Sequence, residues 1–242
     1  MTDALPKGLI SIRGKCLLEY SLEGLSYYGI TTAVMVLGYK AEAIKSKFGS
    51  NYAGIKLSYV DNLEYETTGS MYSLLAAREV IDQDILLLES DLIFQPAAID
   101  VLIRSKKKNV ILVAPCRGNN DEVYIQTNDQ GHLIGLGKTL DRESSLGELV
   151  GVSKLTLQFL KRLYQRAEIE FDQGRRGVSY EDAIMLAVSE FDQDSVDCIL
   201  LKDLLWTDID TETDLETARA ILTKIAALGN EAKGRRSNAS TG

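Results

Sequence analysis

Strand-length apolar runs with no polar face recur along this chain, among them ILLL at 85–88 and VILVA at 110–114. A strand that offers nothing to water must be covered on both sides, which in practice means a sheet held between layers of helix. Segments of helical spacing alternate with such runs through the first half, so βα units and a mainly parallel sheet are predicted. The pattern gives a helix over 15–28, with Leu17, Leu18, Leu22, Leu25 and Tyr28 at helical spacing and Gly29 closing it. A strand at 33–37, a short helix at 41–48 and an alternating strand at 55–60 follow. A helix over 70–80 comes next, with Ser70 placed to cap its first turn, and then a central strand at 84–89.

Beyond a helix at 96–105, with Pro96 in the permitted first turn, and a strand at 110–115, the character changes. Residues 122–127, the turn Asn128-Asp129-Gln130-Gly131 and 132–138 form a β-hairpin signal. A strand at 147–153, helices at 155–171 and 180–190, strands at 196–201 and 205–209 and a last helix at 212–227 complete the reading. The expected fold is α/β, Rossmann-like, with a mixed, mostly parallel sheet flanked by helices and a hairpin insert. Residues 1–230 form one domain in this reading, and 231–242 form a mobile tail, since KGRRSNASTG at 233–242 has no strong apolar content.

Composition narrows the function. A formal charge of −8 argues against a dedicated nucleic-acid binder. Cys16, Cys116 and Cys198 are widely spaced and odd in number, which fits a reduced, cytoplasmic protein. The one histidine, His132, makes a Ser-His-Asp triad or a histidine-rich metal site a poor reading. No apolar run approaches the roughly 18 residues of a bilayer crossing, so no membrane partner is expected.

Three acidic clusters carry candidate chemistry. Glu89-Ser90-Asp91 follows an apolar strand, where open sheets bind ligands and where a carboxylate can hold Mg²⁺; a helix cap or solvated turn is the plainer alternative. In Trp206-Thr207-Asp208-Ile209-Asp210 the two aspartates share one strand face and repel unless a cation or solvent separates them, although Asp210 could simply begin the next helix. Tyr180-Glu181-Asp182 opens a helix, where acids suit the dipole. Lys7 on the Leu5-Pro6 loop, Thr67-Thr68-Gly69-Ser70 at a helix start and Lys138 at the end of the hairpin are weaker signals for phosphate or base contacts.

Taken in order, LPKGLISIRGK (5–15), ETTGSMYSLL (66–75), DILLLESDLIF (84–94), DEVYI (121–125), GELVGVSK (147–154), YEDAI (180–184) and WTDIDTETDLETA (206–218) form a pattern. With them the chain resembles the nucleotidyltransferases of the sugar-phosphate and phosphocholine type, and within these the 2-aminoethylphosphonate cytidylyltransferases. The resemblance implies Mg²⁺-assisted attack of a phosphonate or phosphate oxygen on the α-phosphorus of CTP. It implies Asp91 and Asp210 as metal ligands, with Asp208 an alternative to the latter. Lys7 would contact nucleotide phosphates, Thr68, Gly69 and Ser70 the nucleotide, and Lys138 the acceptor's phosphorus oxygens. Tyr180, Glu181 and Asp182 would meet the acceptor, the two acids at its ammonium end.

The implied partners are CTP and a small phosphonate or phosphate acceptor, with a homodimer left open. A phosphocholine acceptor would call for an aromatic cage, to which Tyr72, Tyr180 and Trp206 could contribute. The same pattern leaves room for a sugar-phosphate nucleotidyltransferase and for an inactive nucleotide-binding relative. The family pattern opens with a strand and a Gly-rich loop of the kind LAAGxGxRL, whereas here Met1 stands just before LPKG. That strand would lie between those at 33–37 and 84–89, leaving both without a neighbour. A start assigned too late is the favoured explanation, ahead of truncation or degeneration.

Overall fold

The computed structural model describes residues 5–118, 122–190 and 195–239, the last ten by backbone alone. After a 3-10 turn at Lys7–Leu9, β1 (Ser11–Ile12) and β2 (Lys15–Cys16) form a tight hairpin. Its corner uses Arg13 and Gly14 at φ 53° and 83°, the left-handed pair that a two-residue hairpin turn demands. The predicted helix over 15–28 therefore starts later, as α1 (Leu17–Tyr27). There follow β3 (Thr32–Leu37), α2 (Ala41–Phe48), β4 (Asn51–Tyr52), β5 (Ile55–Asp61), α3 (Ser70–Ala76), β6 (Ile85–Leu88), β7 (Leu92–Phe94) and α4 (Ala97–Arg104). The second half holds β8 (Asn109–Ala114), the hairpin β9 (Tyr124–Thr127) and β10 (Leu133–Gly137), and the long β11 (Gly147–Leu155). It ends with α5 (Leu157–Asp172), α6 (Tyr180–Glu190), β12 (Val196–Leu200), β13 (Trp206–Asp208) and α7 (Glu212–Ala239).

Several ends differ from expectation for local reasons. Thr156 caps α5, its hydroxyl accepting from the Phe159 amide at 3.3 Å, so Leu155 stays in the strand. Pro96 is the residue before α4 and not its first member. The last helix continues to Ala239, taking in most of the stretch expected as a mobile tail; 240–242 lie outside the described residues.

The fold is α/β with mixed sheets flanked by helices. One six-stranded sheet runs β10-β9-β11-β8-β12, with β6 also pairing β11. Among the described residues only β8·β12 and β3·β5 are parallel ladders, because β11 runs against β6, β8 and β9. The parallel share is thus smaller than the βα alternation predicts. β8 explains its own composition: Val110, Leu112 and Ala114 pack into one apolar cluster with α1, α2 and α4, and Ile111 and Val113 into another with α3, α5 and α6. Burying each of the Val, Ile and Leu side chains contributes roughly 1.5–3 kcal/mol.

A separate three-stranded sheet has the order β3-β5-β4. Among the described residues β3 pairs only with β5 and β6 only with β11, so one edge of each carries no strand. β7 and β13 form an antiparallel pair beneath α7, which packs Ala218 and Ile221 with Ile93 and Ile209. That pair brings two acidic segments of the chain to one place.

Candidate active site

The register of β7 on β13 sets Asp208 opposite Leu92. The turn that carries Glu89, Ser90 and Asp91 ends where β7 begins, so a segment early in the chain and one near its end deliver acids to the same place. Lys7 meets them there. Its ammonium lies 3.3 Å from Asp91 Oδ2 and closer still to Asp210 Oδ1. Gly8 allows this approach, because a Cβ there would stand 2.8 Å from the Leu18 side chain and 3.3 Å from the Ser90 carbonyl. Burial alone would lower the Lys7 pKa, but Asp210 and Asp91 outweigh it and raise it. Burial raises the Asp91 carboxyl despite Lys7. Asp91 and Asp210 thus share the Lys7 ammonium.

Asp208 faces a different base. Arg117 Nη2 donates to it at 3.0 Å, Nη1 donates to Thr207 Oγ1 at 2.9 Å, Nε donates to Glu148 Oε1 at 2.8 Å, and the guanidinium lies 4.1 Å over the Trp206 ring. Glu148 is 1% exposed, and among the described residues its second oxygen has no hydrogen-bond partner. Burial raises its carboxyl despite the arginine.

These groups line one cavity of about 270 Å³ with Glu89, Glu122, Lys138 and Glu181. Acids outnumber bases on its wall, with Lys7, Arg117 and Lys138 the bases. Glu181 enters from the first turn of α6. Burial raises its carboxyl against the backbone amide, the Ser179 hydroxyl and Lys138, and among the described residues its buried Oε2 has no hydrogen-bond partner. Tyr180 is buried and donates its hydroxyl to Glu89 Oε1. Burial, with the charges of Asp91, Glu181 and Asp208, carries the Glu89 carboxyl up to about 7 against the Tyr180 hydrogen bond.

Other predicted site residues lie elsewhere. Asp182 does not line the cavity; its carboxylate accepts from Ser179 Oγ at 2.9 Å while its amide donates to that hydroxyl at 3.1 Å, a reciprocal helix cap. Thr68 donates to the Glu64 carbonyl at 2.8 Å. Gly69 presses on the loop before α6, where a Cβ would lie 2.3 Å from the Val178 carbonyl. Ser70 accepts from the Tyr180 amide at 2.9 Å and caps α6, while its own helix gets no side-chain cap from Gly69. Gly69 and Ser70 thus form a seam between α3 and α6, while Thr68 bonds within its own loop, to Glu64 and Asn62. The three aromatics do not enclose a common space: Arg176 covers Tyr72 at 4.6 Å, Arg117 covers Trp206, and the Tyr180 hydroxyl is committed to Glu89.

Arg117, Glu122 and Glu148 are site residues that sequence reasoning missed. Arg117 sits in a loop without a pattern. Glu148 is the one charged residue in the apolar stretch GELVGV, a usable signal for a buried, paired charge. Among the described residues no group of three or more His, Cys, Asp or Glu is gathered as a metal cage, and no helix is long and apolar enough to cross a membrane.

Known proteins share both the sequence and the architecture. CMP-5'-(3-aminopropyl)phosphonate synthase of Streptomyces rubellomurinus is 28% identical over 225 residues, 88% of this chain and 35% of that protein. UTP--glucose-1-phosphate uridylyltransferase AglF of Haloferax volcanii is 31% identical over 107 residues, 44% of this chain and 43% of that protein. The chain thus spans less than half the length of these curated relatives. In fold it is similar to the inositol-1-phosphate CTP transferase from T. maritima, with a TM-score of 0.72 at 19% identity over 91% of this chain and 89% of that one. The MobA-like NTP transferase domain matches residues 1–177, and the chain belongs to that family.

Proposed function

We propose that the chain is a cytidylyltransferase that joins CTP to 2-aminoethylphosphonate, giving CMP-2-aminoethylphosphonate and pyrophosphate. The observation that carries this reading is the bridge of Lys7 to both Asp91 and Asp210, in a cavity shared with Lys138 and Glu181. Two carboxylates able to share one cation fit Mg²⁺, which takes one or two protein oxygens and completes its shell from water and phosphate. Asp91 and Asp210 would hold the Mg²⁺, which would supply charge neutralisation for the triphosphate.

The chain's own residues supply the rest. Lys7, held charged by two acids, is a point charge for a phosphate oxygen of the nucleotide. Lys138 receives the acceptor's phosphonate oxygens. One anionic phosphonate oxygen forms a bond to the α-phosphorus, the α–β bridging bond breaks, and pyrophosphate leaves with that electron pair. Such transfer needs positioning and charge neutralisation and no covalent protein intermediate. Glu181 receives the acceptor's ammonium, and the named product of the Streptomyces relative carries an amine of the same kind. Quaternary acceptors are disfavoured because the Tyr72 and Trp206 faces are already covered by arginines.

The test is pyrophosphate release from CTP with Mg²⁺ and a panel of 2-aminoethylphosphonate, phosphocholine and glucose 1-phosphate. Release that requires Mg²⁺ and is fastest with 2-aminoethylphosphonate is expected. Preference for phosphocholine or the sugar phosphate, or no release with any acceptor, would overturn the reading.

A further inference from the structure

Glu89 is a carboxylate that the bridge of Lys7 leaves unused. It lines the same cavity as Glu181, from the turn after β6. Its Oε1 accepts the Tyr180 hydroxyl, and its own amide donates to the Gly151 carbonyl at 3.0 Å. β11 bends to make room for it. The register of β11 on β8 shifts between Leu149 and Ser153, and Gly151 sits at φ 79°. A Cβ on Gly151 would stand 2.7 Å from Glu89 Oε2. A bulge with a left-handed glycine, fixed amide and fixed hydroxyl sets this side chain in one place.

Its surroundings in the cavity are rich in acids: Asp91, Glu181 and Asp208 line the wall with it. Among the described residues no hydrogen bond reaches Glu89 Oε2, and Glu181 Oε2 is buried without a partner. Two neighbouring carboxylates with acceptor oxygens left over call for a cationic donor between them. A primary ammonium brings three N–H groups and one positive charge, whereas a quaternary ammonium brings charge and no donor.

Building on the proposed function, we infer that Glu89 and Glu181 together form the ammonium subsite, and that Glu89 determines specificity for a primary-amine acceptor. Tyr180 is a positioning residue that orients Glu89.

The experiment compares Glu89→Gln with the wild type on 2-aminoethylphosphonate and on propylphosphonate, its amine-free isostere. The ratio of kcat/KM for the two acceptors reads the subsite. The expected result is a fall of that ratio by about tenfold or more in Glu89→Gln, carried by the KM for the amine, with the KM for CTP unchanged. Tyr180→Phe should lower the ratio by a smaller factor. Calorimetry of both acceptors with a non-hydrolysable CTP analogue bound reads the same ratio without turnover. An unchanged ratio, or equal losses on both acceptors, would overturn the role of Glu89 while leaving the proposed function intact. A wild type that neither binds nor turns over 2-aminoethylphosphonate would overturn both.

Discussion

Asp91 and Asp210 reach one ammonium group from different parts of the chain, and their removal should separate activity from stability. Asp91 is largely buried and burial raises its carboxyl, so neutralising it removes a desolvation cost as well as a bond to Lys7. We expect Asp91→Asn to cut pyrophosphate release by ~10²-fold or more while the melting temperature stays within a few degrees of wild type. A rate within severalfold of wild type would remove Asp91 from the proposed metal site. The neighbouring acids of α6 divide in the same way. Glu181→Gln should raise the acceptor KM and leave the melting temperature alone. Asp182→Ala should cost about 1 kcal/mol of stability, the usual size of a capping loss, and leave the acceptor KM unchanged. Sequence could not separate this pair, because both acids suit a helix start; the structure does, with Asp182 in a reciprocal cap with Ser179 and Glu181 on the cavity wall.

Elements are tied to one another by groups whose charge states can be followed. Burial would raise the Glu19 carboxyl at the start of α1, but hydrogen bonds from the Cys16 amide at 2.7 Å and from Tyr52 at 3.1 Å, with Lys47 at 3.1 Å, overcome it and hold it down at about 2. A folded-state pKa below the unfolded one stabilises above the unfolded value near 4.5 and loses that effect as pH falls toward 2. Glu19→Gln should therefore lower the melting temperature at pH 7 and differ progressively less from wild type between about pH 4.5 and 3. Thermal melts across that range test this, and a difference independent of pH would refute it. The start of α1 also shows where periodicity misleads. Leu17, Leu18 and Leu22 mark the helix correctly, yet Lys15 and Cys16 belong to a hairpin whose turn is set by the positive φ of Arg13 and Gly14, which apolar spacing does not encode.

Across the whole molecule the two larger sheets are unevenly supported. β8 is buried along its length and paired on both sides, while β3 has one partner strand among the described residues and Val34 is 36% exposed. Hydrogen exchange should therefore show strong protection throughout Asn109–Ala114 and alternating, weaker protection along Thr32–Leu37, where every second amide points away from β5. Uniform protection of β3 equal to that of β8 would contradict this pairing. Most strands and helices were legible in the sequence, because burial on one face or two writes itself into apolar spacing over a few neighbouring residues. The identity of candidate acids was legible as well, since Asp91, Asp208 and Asp210 stand at the ends of apolar strands. Which of them meet the Lys7 ammonium was not: that is decided by the Asp208–Leu92 register and by Gly8, which admits Lys7. The surroundings of Glu148, Arg117 and Glu89 likewise came only with tertiary structure, because desolvation and opposite charge act through space between segments that sequence spacing never brings together.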